Sequence, residues 1–463
     1  MRMERGSFLR IGAALGIAPL LGAAAAVAEP TFTAEVVRAD LDAIWAALLD
    51  VGADPFLAAD RATVEALYRS TRETIRVPLT VRQAWLAIAP VLGALNDGHV
   101  SLGFDGLLAA AARRFPLRFA LAPDDALVVL VDESATIPRG SEIVSIDGIA
   151  APEYVHLALA ALGGQTESLH RTRVSTEGSA VSFALFGERP TYHVVWKSDG
   201  AVHERDVSLA TAPSRATTTT SEPYTYGTIA GGGVGYLDYR RCEGFARFGR
   251  FLTEAVPAMH DASIKALVVD IRRNGGGDSR LNDELWTAVS SKPFKQFGGV
   301  IVKACDRLKR EYGEDKYVEI YGARAWSAPD GTIIPIREGP NDDLFTPARD
   351  VPSRYTGPVY LLISPQTFSS AMSCALAAKD YGLATIVGEE TGEPVDSTGE
   401  VYTFTSPGLG FKAYFTTKVF LPPKPQPPRQ GVVPDVVVRT TPADVAAGRE
   451  PVLDRTLALI ASA

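Results

Sequence analysis

The chain has 463 residues, 46 Lys and Arg against 54 Asp and Glu, 46% hydrophobic residues and a mean hydropathy of +0.06. That balance excludes a disordered chain, which would be poor in apolar residues, and a polytopic membrane protein, which would repeat long apolar runs. The formal charge of −8 argues against a nucleic-acid binder, which needs a basic face for phosphates; Cys242, Cys305 and Cys374 are too scattered for a zinc site or a disulfide framework.

Arg2, Arg5 and Arg10 precede an uncharged run from Ile11 to Ala28, which ends Ala26-Val27-Ala28 before Glu29-Pro30. This predicts a signal peptide over 1–28 and an exported protein, periplasmic or extracellular. An anchoring helix is the rival reading, weakened by Pro19 and by the Ala and Gly content, so membrane contact is expected only through an uncleaved signal segment. Arg5-Gly-Ser-Phe-Leu-Arg10 is similar to a twin-arginine signal with its second Arg replaced by Gly, which leaves the export route open.

Residues 29–110 form the next unit. Leu41, Ile44, Trp45 and Leu48, then Val64, Leu67 and Tyr68, then Trp85, Leu86 and Ile88 recur at helical spacing. Asn96-Asp97-Gly98 breaks the pattern as a turn, and His99 to Phe104 alternates like a strand, which puts His99 at a helix-to-strand junction. Residues 111–210 read mainly as β, with Leu117, Phe119 and Leu121 alternating, an apolar run from Leu127 to Val131, and a helical stretch around Tyr154 to Leu162. Within them "IPRGSEIVSIDGIAAPEYVHLAL" resembles a PDZ domain, with Ser141 where an Asp is usual; a generic small β-domain is the alternative.

A Thr- and Pro-rich stretch with four threonines, Thr217 to Thr220, predicts a linker over 211–227. From 228 to 463 the pattern is α/β: a buried run Ala266 to Arg272, a glycine turn, a helix bearing Leu281, Leu285 and Trp286, a second run Val359 to Ser364, a helix from about Ser369 to Tyr381, and a strand Ala384 to Val387. Strand, helix, strand implies parallel crossovers. The polar stretch at about 304–350 reads as an irregular insertion or lid. Gly408-Leu409-Gly410-Phe411 is expected to be a hairpin turn, and the proline-rich Leu421 to Arg429 a stiff connection.

Ser369 lies where a buried parallel strand passes into a helix, the edge at which open α/β sheets place their sites; nearby amides and the helix dipole could stabilise an oxyanion. Serine is also a preferred helix cap. Asn274 to Gly277 is a turn whose glycines let backbone amides approach a ligand, and it lacks the Lys-Ser/Thr of a phosphate loop. His99 is the histidine beside a glycine turn, and a serine nucleophile needs such a base.

"LNDGHVSL", "LVVDIRRNGGG", "TFSSAM", "IVGEETG" and "GVVPDVVV", in that order from Leu95 to Val438, resemble the motifs of the tail-specific or C-terminal processing protease family, in its branch with the tricorn core peptidase and the interphotoreceptor retinoid-binding protein repeats. The resemblance implies an α/β (α+β multidomain) protein with a ClpP/crotonase-like β-α-β core, a PDZ-like β-domain and a helical N-terminal region. It implies a serine endopeptidase without cofactor or metal, acting on protein or peptide substrates. By the same resemblance the nucleophile is Ser369, with Ser370 as runner-up, His99 is the base, and the oxyanion donors are the amides of Ser370 and of Gly276 or Gly277.

Three positions depart from the family pattern. Where one branch has a lysine after "VGE-x-T", this chain has Gly392-Glu393-Pro394, so a serine–lysine pair is not expected. Where another has a glutamate before "G-V-x-P-D", it has Pro427-Pro428-Arg429-Gln430. Met372 replaces the glutamate after the serine, either as helix packing or as a sign of altered activity. The carboxylate that should orient His99 is open among Glu389, Glu390, Glu393, Asp396 and Asp97. The alternative function is a non-catalytic or weakly active binding protein for hydrophobic ligands or peptides on the same scaffold.

Overall fold

The computed structural model describes residues 29–108, 113–208, 210–211, 222–337, 345–346 and 354–462. The signal-peptide segment 1–28 and most of the expected linker, 212–221, lie outside the described residues.

Three capped helices open the described chain: Ala34–Val51 with Thr33 as cap, Arg61–Thr74 with Asp60, and Val81–Gly93 with a Thr80/Gln83 capping box. Their apolar stripes bury Leu41, Ile44, Leu48, Trp85 and Ile88, as the helical spacing implies. The third helix runs into the Asn96-Asp97-Gly98 turn, with Asn96 in the left-handed region at φ 51°. The strand that follows is shorter than expected: only Ser101–Leu102 pairs, antiparallel with Tyr414 and Ala413.

Residues 117–208 form an antiparallel sheet in the order Ala201–Ser208, Thr191–Ser198, Glu142–Ile146, Leu127–Asp132, Leu117–Leu121. Two helices accompany it. Ala151–Leu162 agrees with the sequence reading, but the 20-residue helix Glu167–Phe186 corrects the expectation of a mainly β unit. Its Thr172, Val174, Ser175, Thr176 and Gly178 are weak helix formers, and tertiary contacts override them. Thr166 caps the first turn, and the Tyr154 hydroxyl donates to the Gly178 carbonyl at 2.9 Å.

The core sheet runs in chain order. Val234–Tyr239, Ala266–Asp270, Val359–Ile363, Thr385–Gly388 and Val436–Val437 are parallel, and Tyr224–Ile229 lies antiparallel on one edge. That edge strand begins inside the stretch expected to be linker, a correction of its boundary. One face packs on the helices Phe245–Asp261, Arg280–Val289 and Ser370–Tyr381, the other on Pro451–Ser462, so both faces of a parallel sheet are covered. Met372 is buried in this core, which answers its substitution as packing.

A second sheet joins Ile333–Arg337, Gly299–Lys303, Lys412–Leu421 and Ser397–Thr405. In the polar stretch after Cys305, 338–344 and 347–350 lie outside the described residues, and the first part is not irregular: Asp306–Tyr321 is helical across a break at Gly313 and buries Leu308, Tyr317 and Tyr321 in the same apolar cluster as the N-terminal helices. Charged residues on its outer face hide that stripe from a composition reading. Gly408 to Phe411 is the expected hairpin turn, and it closes over the buried Asp40 carboxylate, which accepts from the amides of Gly408 at 2.8 Å and Leu409 at 2.6 Å.

Candidate active site

Ser369 is held at the junction between the strand Val359–Ile363 and the helix Ser370–Tyr381 with φ 56° and ψ −129°. A non-glycine residue in that region is strained, and such strain persists where the surroundings over-determine it. Its side chain does not cap the helix, and among the described residues its hydroxyl makes no hydrogen bond. The capping explanation for this serine therefore fails. Ser370, by contrast, turns its hydroxyl onto the Gly277 carbonyl at 2.6 Å and bridges the two turns.

The glycine turn is pressed against the serine. A Cβ on Gly276 would lie 2.6 Å from the Ser369 Cβ and 2.9 Å from the Ser370 nitrogen, and one on Gly277 would lie 2.2 Å from the Cys242 carbonyl oxygen. Both glycines have positive φ, 99° and 130°. The Gly276 amide donates to Asn274 Oδ1 at 2.8 Å. It is therefore committed, and of the two glycines expected to supply an oxyanion donor, Gly277 is the one left with a free amide among the described residues. The Ser370 amide opens a helix and has no partner within it.

Beneath both turns sits a buried polar network. Asn282 donates to the Ser370 carbonyl at 2.7 Å and to Gln296 Oε1 at 2.8 Å, and Asn274 donates to the Tyr239 carbonyl at 2.9 Å. Each group is satisfied, so the network fixes both turns relative to each other.

His99 comes from the N-terminal half, yet its ring lies 4.4 Å from that of Phe368, the residue before Ser369. Its Nδ1 is 3.5 Å from Glu393 Oε1 and 3.8 Å from Asp97 Oδ1. The other oxygen of Glu393 accepts from the Ser369 amide at 2.5 Å. One buried carboxylate thus touches both the serine and the histidine. Asp97 accepts instead from the His99 amide at 2.9 Å, from Gln165 at 3.2 Å, and from the hydroxyls of Thr398 at 2.6 Å and Thr416 at 3.2 Å. Asp97 is saturated by neutral donors and shapes the turn.

His99 Nδ1 and Glu393 Oε1 are buried and without hydrogen bonds, 3.5 Å apart. Burial lowers the His99 pKa from its ordinary value, opposed by Asp97 and assisted by Arg173. Burial raises that of Glu393 well above its ordinary value, with Asp97 adding to the rise and the Ser369 amide and Ser397 hydroxyl opposing it. Burial disfavours the charged form of each group alone, and at this separation an imidazolium and a carboxylate each favour the other's charge.

The remaining acids are engaged elsewhere. Glu389 Oε1 accepts from the Thr440 amide, Glu390 Oε1 from that of Gly431, and Asp396 Oδ1 from that of Arg429. The three cysteines are buried free thiols. Glu393, one of the five acids left open by the sequence, stands where a related branch has a lysine; what could have singled it out is its spacing from Ser369.

Residues 233–438 match the model of Peptidase family S41. The chain is similar in fold to mature CPAF complexed with lactacystin, with TM-score 0.66 and 15% identity over 92% of this chain and 98% of that one. It is similar also to mature CPAF alone, with TM-score 0.61 and 17% identity over 89% and 94%. The photosystem II D1 C-terminal processing protease aligns with TM-score 0.44 at 17% identity, over 87% and 93%. No curated protein sequence matches the chain.

Proposed function

We propose, since the chain belongs through residues 233–438 to peptidase family S41, that of the tail-specific and C-terminal processing serine peptidases, that it cleaves peptide bonds with Ser369, His99 and Glu393. The single observation that carries the assignment is Glu393, whose carboxylate bonds the Ser369 amide with one oxygen and faces His99 Nδ1 with the other.

In this mechanism the Ser369 oxygen attacks the substrate carbonyl carbon while His99 removes the hydroxyl proton. Glu393 holds the imidazole in the tautomer with its proton on Nδ1 and stabilises the imidazolium as the 3.5 Å gap closes. The oxyanion is held by the amides of Ser370 and Gly277, reinforced by the N-terminus of the helix Ser370–Tyr381. Collapse of the tetrahedral adduct breaks the C–N bond, the leaving amine takes the proton from His99, and water then hydrolyses the acyl-serine by the same steps.

The arginines before the uncharged run of residues 11–28 support an exported enzyme, and the edge position of the strand Leu117–Leu121 supports substrate added as a strand, in the manner of a PDZ groove. The position before Gly431 that carries no acid does not count toward the binding-protein alternative once Glu393 takes that role.

A fluorophosphonate probe followed by peptide mapping tests the assignment. Labelling is expected on Ser369, and it should be lost in His99→Ala. Absence of labelling in the folded wild-type chain overturns the peptidase and leaves the binding protein.

A further inference from the structure

A cleft of about 1010 Å³ lies between the helix-bearing β unit and the core sheet, lined on one side by Leu121, Arg171 and Thr172 and on the other by Gln366, Arg429 and Arg439. None of the three residues of the proposed machinery lines it, but its lining includes Pro365 and Gln366, which precede Ser369 in the chain, and Gln165, which donates to Asp97.

The charge of the cleft runs against that of the chain. Six arginines and four glutamates line it, within a chain of formal charge −8. Three of the glutamates are occupied: Glu389 and Glu390 take backbone amides, and Glu450 pairs with Arg272, which leaves Glu167 at the first turn of its helix. Burial raises the Glu389 pKa from its ordinary value, opposed by the Thr440 amide and by Arg439. Among the arginines, Arg272 and Arg449 are paired at 2.7 Å and Arg171 pairs with Asp125, whereas Arg429 and Arg439 make no ion pair among the described residues, Arg439 acting on Glu389 only from beyond ion-pair distance, and Arg273 reaches Asp238 only at 3.5 Å.

Two further features mark the wall that carries these cations. Arg429 sits at φ 61°, a left-handed conformation rare for a non-glycine residue, after two prolines, with its amide tied to Asp396. Beside it Val433, Val437 and Val445 are exposed, Val437 to 61%, and all three line the cleft. Unpaired guanidinium groups between exposed aliphatic side chains match a chain that alternates carboxylates with apolar residues.

We propose that this cleft is a substrate subsite for acidic peptide segments, in which Arg429 and Arg439 bind side-chain carboxylates and the valines take the neighbouring apolar groups. The proposal rests on the peptidase reading and names the substrate class of that site. Arginines, of which Arg429 is half-buried and Arg439 exposed, give planar, two-pronged recognition of carboxylates, so the preference is for Asp and Glu over their amides and not for length.

The test uses the full chain carrying Ser369→Ala, so that binding is read without turnover. Fluorescein-labelled, C-terminally amidated decapeptides of alternating Ala-Asp, Ala-Asn and Ala-Lys are titrated by anisotropy at low salt. The Ala-Asp peptide is expected to bind about tenfold tighter than Ala-Asn, the sum of two or three modest ion pairs, and to lose that margin at high salt. Arg429→Gln with Arg439→Gln should bring the two peptides to parity, and Arg439→Gln alone, at an exposed site, should remove part of the margin without risk to the fold. Parity in the parent, a margin that survives the double substitution, or a preference seen only with a free terminal carboxylate would each overturn the subsite. Failure of the peptidase reading looks different: wild-type chain would bind the Ala-Asp peptide selectively and leave it uncut.

Discussion

At Glu393 two demands meet in one carboxylate. It is fully buried beside Asp97, which disfavours its charge, yet it must present an accepting oxygen to Nδ1 and an anion to the imidazolium, whose positive charge offsets that cost. Glu393→Gln keeps the shape and can keep the bond from the Ser369 amide through its carbonyl oxygen, but it then turns an NH₂ toward Nδ1 and favours the wrong tautomer. We expect kcat to fall on the order of 10²–10⁴-fold with KM little changed. The same change should stabilise the fold at neutral pH. Because the folded-state pKa of Glu393 is raised, its contribution is complete below the unfolded value near 4.5 and is lost as pH rises through the folded value; an amide has no such loss. His99 has the opposite sign, with a depressed folded value, so its contribution is present above about 6.5 and is lost as pH falls through the folded value. A pH series of kcat/KM and thermal melts, run on both proteins, checks this: the acid limb of wild-type activity should lie below 6.5, and a Gln variant that retains its kcat or melts lower would refute the role given to Glu393. Ser369 and His99 were legible because a nucleophile and a base need particular residue types beside particular turns. Glu393 was legible only as one of five acids, since the choice depends on which carboxylate the fold leaves without a competing donor.

At the scale of elements, the site is made by two turns in contact. Gly276 has no room for a methyl group, because its Cβ would stand 2.6 Å from that of Ser369, both atoms fixed by backbone. Gly276→Ala should push the serine or its following amide out of line. A displacement approaching 1 Å costs about 10²-fold in rate, so kcat is expected to drop by that order while the far-ultraviolet circular dichroism stays native. A variant of unchanged kcat would mean that the two turns do not need this contact. The glycine run announced a close backbone approach in the sequence, but not what it approached. Helices were harder to read wherever their cause was tertiary. Glu167–Phe186 buries Arg173, Gly178 and Ser182 along with Val174, Val181 and Phe183, so no apolar stripe stands out, and Asp306–Tyr321 is interrupted by Gly313 at φ 74°. Periodicity shows a helix when one face is apolar; these two are held by a capping threonine, a tyrosine hydroxyl and buried tyrosines.

Across the whole molecule, the base and the nucleophile are brought together by a shared interior. One apolar cluster contains Leu41, Trp85, Leu117 and Val194 from the first half together with Val302, Tyr317, Tyr321 and Phe415 from the second, while the sheet that carries Ser369 has its own cluster around Leu361 and Trp286. The strand pairing of Ser101–Leu102 with Tyr414 and Ala413 then fixes the turn bearing His99, and Thr166 ties the β unit to the Glu393 segment by donating to the Gly392 carbonyl at 2.8 Å. The two halves are consequently one folding unit with respect to the second sheet, although the sequence between Thr211 and Glu222 reads as a linker. Residues 222–463 expressed alone would expose the buried faces of the strands Gly299–Lys303 and Lys412–Leu421 and of the helix Asp306–Tyr321, and should aggregate. A full chain cut at a protease site inserted between residues 211 and 222 should behave differently: both pieces should co-elute, melt in one transition and keep fluorophosphonate labelling of Ser369, because the contacts that place His99 do not run through that connection. Soluble, cooperatively folded 222–463, or pieces that separate after the cut, would show instead that the second sheet is stabilised from the core alone and that His99 is delivered by a separately folding domain.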